Sequence, residues 1–193
     1  MVARTLKMKK WPAFFISVFI TANVYAQSNL QDSHIACSAY KSPLAYLDTI
    51  LKRPQRFIQY SETGCVYKLL DTLTSLSIKG NQGALASLDK LYQNSDGDVS
   101  EYFLDIGVKL FYDGFDNTVE YLFKNSGSKK DNTLESAIVE ALSMQVSGTS
   151  NKEKERKKIH AFIVKKEQEL NLTAPYKEYL SKLEREINPE MFD

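Results

Sequence analysis

Closely spaced acids are the first residues in this chain that could do chemistry. Asn94, Asp96 and Asp98 alternate, and Asp105 lies eleven residues after Asn94. Calcium loops place oxygen ligands in that alternation. Here the loop glycine, Gly97, comes two positions early, and the closing ligand is an Asp rather than a bidentate Glu. Capping of a helix by Asp98 accounts for the same residues, so no metal is expected. Glu101 and Asp105 are four apart and share one helix face. Paired carboxylates are the acid and base of glycoside hydrolysis. Without a cleft to strip away their water, two acids at this spacing are a solvated face.

Other catalytic chemistry has little to work with. The sequence holds two histidines, His34 and His160, and two cysteines, Cys37 and Cys65. There is no HExxH or CxxC spacing for zinc, no GxSxG elbow and no glycine loop for phosphate. The chain is therefore expected to be no enzyme and to need no cofactor. The run KEKERKK at 152–158 is interrupted by Glu153 and Glu155. It reads as a solvated helix rather than a patch for membranes or anionic polymers.

One asymmetry stands out. Residues 81–145 carry eleven acids and five bases, while 151–193 carry nine acids and ten bases. The acidic stretch is also rich in aromatic residues. An apolar helical stripe accounts for Phe103, Phe111 and Phe123, and leaves Tyr102, Tyr112 and Tyr121 near the acids. Tyrosines among acids on a rigid helix suit the binding of a basic protein. The candidate contact residues are Asp96, Glu101, Tyr102, Asp105, Tyr112, Asp113, Asp116 and Tyr121. The competing reading is an ordinary acidic surface with partly buried tyrosines. Nucleic acid is excluded as a partner, because no basic excess gathers on one face.

The first 26 residues read as an address. Lys7, Lys9 and Lys10 precede an apolar run at 11–25 that ends in Val24-Tyr25-Ala26. That is the pattern of a cleaved secretory leader. The run is short of the ~20 residues a membrane helix needs. A mature chain over 27–193 follows, periplasmic or secreted, with no stable membrane anchor. Translation from Met8 gives the same mature end. Ile35-Ala36-Cys37 is no lipobox, because polar residues precede it. Asn171-Leu172-Thr173 is a glycosylation acceptor if the compartment is eukaryotic, and means nothing in a bacterium. The leader holds Arg4, Lys7, Lys9 and Lys10 and no acid, so its loss leaves 21 bases against 24 acids. In an oxidising compartment Cys37 and Cys65 are expected to form one disulfide.

The elements that must position these residues are helices. Ser42-Pro43 predicts a helix carrying Leu44, Leu47 and Leu51 on one face, ended by Pro54. The next spans 61–78 with Leu69, Leu70, Leu73 and Leu76. A third spans 81–92 with Leu85, Leu88, Leu91 and Tyr92. Asp98 with Glu101 predicts a capping box for a helix carrying Phe103, Ile106, Leu110 and Phe111. Gly114 ends it, and Phe115, Val119, Leu122 and Phe123 mark a shorter one. After a polar loop at 125–131, Asn132 with Glu135 opens a helix of Leu134, Ile138, Ala141 and Leu142. Ser150 with Glu153 opens a charged helix with Ile159, Phe162, Ile163 and Leu170. Thr173 caps the last, with Tyr176, Leu180, Leu183 and Ile187.

The expected fold is all-α: one domain over 27–193, either an irregular helical bundle or a short HEAT-like α-solenoid. It should hold about seven to eight helices and one disulfide. Two helices make a unit of roughly 35–45 residues, within the range of helical repeats. Residues 69–142 resemble a HEAT-type array in architecture, though no repeat consensus is met. In size, address, disulfide and helicity the chain resembles the immunity proteins that neutralise toxins from neighbouring cells. That resemblance implies a protein that works by occlusion. A periplasmic scaffold or assembly factor is the alternative, and a hydrolase using acidic residues ranks last.

Overall fold

The computed structural model describes residues 35–58, 64–126 and 133–191. The leader, His34, Asn132 and most of the expected polar loop lie outside the described residues. Within them, all regular structure is helical. There are ten α-helices: α1 Ile35–Lys41, α2 Leu47–Lys52, α3 Gln55–Ile58, α4 Cys65–Ile78, α5 Gln82–Tyr92, α6 Gly97–Asp113, α7 Phe115–Asn125, α8 Leu134–Ser147, α9 Lys152–Glu169 and α10 Ala174–Glu186. A single 3-10 turn, Pro43–Ala45, separates α1 from α2.

The count exceeds the expected seven to eight because the N-terminal region is broken into short pieces. Ser42 makes no side-chain cap, and after one 3-10 turn the chain restarts as α2. The leucine stripe expected there is not the buried one: Leu44 is 58 % exposed and Leu51 37 %, while Ile50 is fully buried. From α4 onward most residues of the expected apolar stripes are buried, while Leu76, Phe123, Phe162, Leu170 and Tyr176 are half-buried. Leu69, Leu70 and Leu73 of α4, Leu85, Leu88 and Leu91 of α5, and Phe103, Ile106 and Leu110 of α6 form one continuous apolar cluster.

Helix starts depart from expectation by a residue or two. Asn81 caps α5 by accepting from the Ala84 amide at 2.9 Å. Asn151, not Ser150, caps α9 by accepting from the Lys154 amide at 3.0 Å. Thr133 caps α8 from the Ser136 amide at 3.3 Å. Glu135 does not complete that cap, because it accepts from the Tyr179 hydroxyl at 2.8 Å. Thr173 holds the cap position of α10 but its side chain bonds no first-turn amide. The capping box at Asp98 is absent. The cap position of α6 is Asp96, extended at φ −145°, and its side chain bonds no amide either. Gly97 at φ +47° turns the chain into the helix earlier than a side-chain-bearing residue would allow. Asp98 thereby falls inside the first turn, where the helix dipole favours its charge. The Ser95 and Ser100 hydroxyls, 3.0 Å apart, close the turn instead.

Helices two apart are neighbours: α4 packs on α6, and α6 on α8. The α6–α8 approach is close because Gly107 faces it. A Cβ at Gly107 would stand 3.2 Å from the Ala137 carbonyl oxygen and the Ile138 Cα. Phe162 of α9 meets Phe111, Tyr112 and Phe115, with ring centroids 5.3, 5.0 and 5.4 Å away. The expected disulfide is present. Cys37 and Cys65 join α1 to the first residue of α4, with Cα atoms 4.8 Å apart. Among the described residues no helix is long and apolar enough to cross a membrane.

Candidate functional site

The α-helical period decides which acids of α6 act together. Asp98, Glu101, Tyr102 and Asp105 lie three or four residues apart and so share a face. This face borders α4, and Tyr67 of α4 completes a shallow open groove of about 390 Å³ with those four residues. Tyr67 and Tyr102 meet edge to face, their ring centroids 4.9 Å apart. The Tyr102 hydroxyl donates to Asp71 of α4 at 2.7 Å. Burial and this carboxylate partner push the Tyr102 phenol up to about 12. Lys109 sits 3.7 Å from the same Asp71 oxygen. Asp71 is thus satisfied from two sides.

The carboxylates of α6 are not. Asp98, Glu101 and Asp105 are exposed, and no lysine, arginine or histidine among the described residues lies in ion-pair contact with them. Asp96 and Asp113, at the two ends of the helix, are exposed as well. Acids elsewhere are mostly neutralised. Glu153 pairs with Lys157, Glu155 with Lys158, Glu186 with Lys182 and Glu190 with Lys152. The cations nearest in sequence to the groove are committed elsewhere. Lys109 holds Asp71, and Lys68 lies over the Tyr40 ring at 5.6 Å.

The remaining sequence candidates are placed differently. Tyr112 follows on the same side of α6 but is covered by Phe162, and its hydroxyl donates to Gln145 at 3.4 Å. Gln145 in turn donates to Glu155 at 2.8 Å. Burial, first of all, raises the Tyr112 phenol above its ordinary value. Tyr121 donates to Asp89 at 3.1 Å, and burial followed by that charge pushes its phenol far up. Asp116 stands 3.7 Å from Lys166 and borders a second groove with Val119, Leu172 and Tyr176. The structure therefore gathers Glu101, Tyr102 and Asp105 at one site. It sets Tyr112, Tyr121 and Asp116 into contacts with other helices.

Sequence reasoning read Asp98 as a cap rather than a groove residue, and it missed Tyr67 of the groove and Asp71, which holds Tyr102 from beside it. The i, i+4 spacing of Tyr67 and Asp71 beside the α4 leucine stripe was the only available signal. It also missed Asp89, whose second oxygen accepts from the Leu134 amide at 2.7 Å and so anchors the start of α8.

Chemically, the groove offers three open carboxylates and two aromatic rings to a cation. Asn94, considered above as a calcium ligand, donates its side-chain amide to the Lys90 carbonyl at 2.8 Å. Among the described residues no group of three or more His, Cys, Asp or Glu is placed to hold a metal ion. Comparison with known proteins finds no matching family model, no matching curated protein and no matching solved structure.

Proposed function

We propose that this is an exported protein that works by binding, occluding the basic surface of another protein as an immunity protein or inhibitor occludes a toxin or enzyme. The observation that carries the reading is the uncompensated row of Asp98, Glu101 and Asp105 beside Tyr67 and Tyr102. Like charges three or four residues apart on a helix cost about 0.2–0.5 kcal/mol per pair. A chain that pairs most acids of α9 and α10 but leaves this row open keeps a repulsion that a cationic partner would relieve. Acids at the rim chiefly speed association, and the tyrosines supply surface that loses water on docking. A scaffold built on a short helical array is the second reading, favoured by the packing of α4 on α6 and α6 on α8. A hydrolase at Glu101 and Asp105 ranks below both, since the groove is open and both acids are exposed.

The test is kinetic. The partner is recovered by co-purification from periplasmic or culture extract, and its association with Glu101→Lys/Asp105→Lys is followed by stopped flow. Reversal should slow association by at least tenfold at low salt and flatten its salt dependence. Unchanged rates at low salt would remove this face from consideration.

A further inference from the structure

The groove distinguishes between the two cations a protein partner can offer. We propose that it receives an arginine side chain, the guanidinium lying against the Tyr67–Tyr102 pair and bonded to the α6 carboxylates. This identification rests on the binding reading above and narrows it to one chemical group.

Three features favour guanidinium over ammonium. The first is the aromatic wall. Tyr67 is half-buried and Tyr102 is fixed by its bond to Asp71, so the rings hold their places before any ligand arrives. A planar guanidinium stacks on such rings and sheds its weakly held water readily. An ammonium is a compact, strongly hydrated charge. The second is the carboxylate spacing. Glu101 and Asp105 are one helical turn apart, and Asp98 is one turn before Glu101. Five N–H donors in a rigid fork can engage two such acids together, which one ammonium does less well. The third is how the molecule uses its own lysine there. Lys109 takes a long 3.7 Å contact to Asp71 at the groove edge and leaves the three α6 acids open. The capacity that remains is for a cation brought from outside, and the shallow groove is open to one.

The probes are a nona-arginine and a nona-lysine peptide, equal in charge, titrated by fluorescence anisotropy into the native full chain at low salt. Nona-arginine should bind about tenfold more tightly. Tyr67→Leu keeps an apolar wall but loses the ring, so it should weaken nona-arginine by about three- to fivefold and nona-lysine by less. Equal affinities for the two peptides, or an arginine preference undiminished in Tyr67→Leu, would overturn the guanidinium assignment and leave the acidic-face reading standing. Asp98→Asn/Glu101→Gln/Asp105→Asn should weaken both peptides. If it weakens neither, both the assignment and the reading beneath it fail. Circular dichroism of each variant separates loss of binding from loss of fold.

Discussion

Replacing Asp89 should loosen the junction of three helices, and the cost can be worked from its bonds. One carboxylate oxygen accepts from the Leu134 amide at 2.7 Å. The other accepts from the Tyr121 hydroxyl and the Gln93 side-chain amide, both at 3.1 Å. The Gln93 bond lies within one turn of α5 and is readily replaced by water. The other two are not. The Leu134 amide is one of the four at the start of α8 that lack a partner within the helix, and Leu134 is fully buried. The Tyr121 phenol is half-buried. A donor left without its acceptor costs about 1–3 kcal/mol, at the upper end for bonds to a charged group. Asp89 is itself half-buried, so water reaches part of the site. Asp89→Ala should therefore destabilise by about 2–4 kcal/mol. Asp89→Asn keeps an acceptor for Leu134 and should cost about half as much. Tyr121→Phe removes one bond and should cost about 1 kcal/mol. The assay is urea unfolding followed by circular dichroism at neutral pH. In the double variant Asp89→Ala/Tyr121→Phe the losses should fall short of additive by about 1 kcal/mol, because the two groups share one bond. Strict additivity, or a cost below about 1 kcal/mol for Asp89→Ala, would refute the view that this carboxylate ties α5, α7 and α8 together.

Gly107→Ala should destabilise, although alanine gains about 1 kcal/mol of helix propensity, because overpacking against the α8 backbone costs about 1–3 kcal/mol. Gly83→Ala is the milder comparison: its new methyl meets only side-chain atoms, the flexible end of Leu47 at 3.0 Å and the Asn81 oxygen at 3.3 Å, so melting should show a smaller loss than for Gly107→Ala. Reducing the Cys37–Cys65 bridge should cost about 3–4 kcal/mol by loop-closure entropy and lower the melting temperature by roughly 10 °C; a melt unaffected by reductant would contradict this. The Tyr102 phenol stands above its ordinary value of 10 at about 12 in the folded protein. Its contribution to stability is therefore complete below pH 10 and lost as pH rises through about 12. Phenolate absorbance should show a late transition near pH 12 that loses one phenol's amplitude in Tyr102→Phe. Glu101→Gln should slightly stabilise the isolated protein, by about 0.2–0.5 kcal/mol for each like-charge contact relieved, while weakening its binding. A variant both less stable and fully able to bind would speak against a functional charge row.

By itself the sequence determined the helices from α4 onward and which of their faces turn inward. A stripe such as Leu85, Leu88 and Leu91 recurs within a few residues, and the period of the helix is a local property. The pairing of Cys37 with Cys65 was legible for the same simple reason, since only two thiols were available. Where competing local choices differ by a fraction of a kcal/mol, sequence reasoning slipped. Ser42-Pro43 has the residues of a helix start, yet the chain makes one 3-10 turn and buries Ile50 rather than Leu44 and Leu51. Asp98 has the type and spacing of a cap, yet a left-handed Gly97 admits the helix before it. The candidate site was half legible. Its acids and Tyr102 share one helix, so their common face follows from spacing. Tyr67 and Asp71 arrive from α4, and Asp71 is 31 residues before the tyrosine it holds. Only the packing of α4 on α6 could decide that meeting, and only the covering of α6 by α8 and α9 could separate Tyr112 from the open acids. Local periodicity reports which side of a helix is apolar. It carries no information about which other helix will lie against the polar side, because that is set by how all the apolar faces fit together at once.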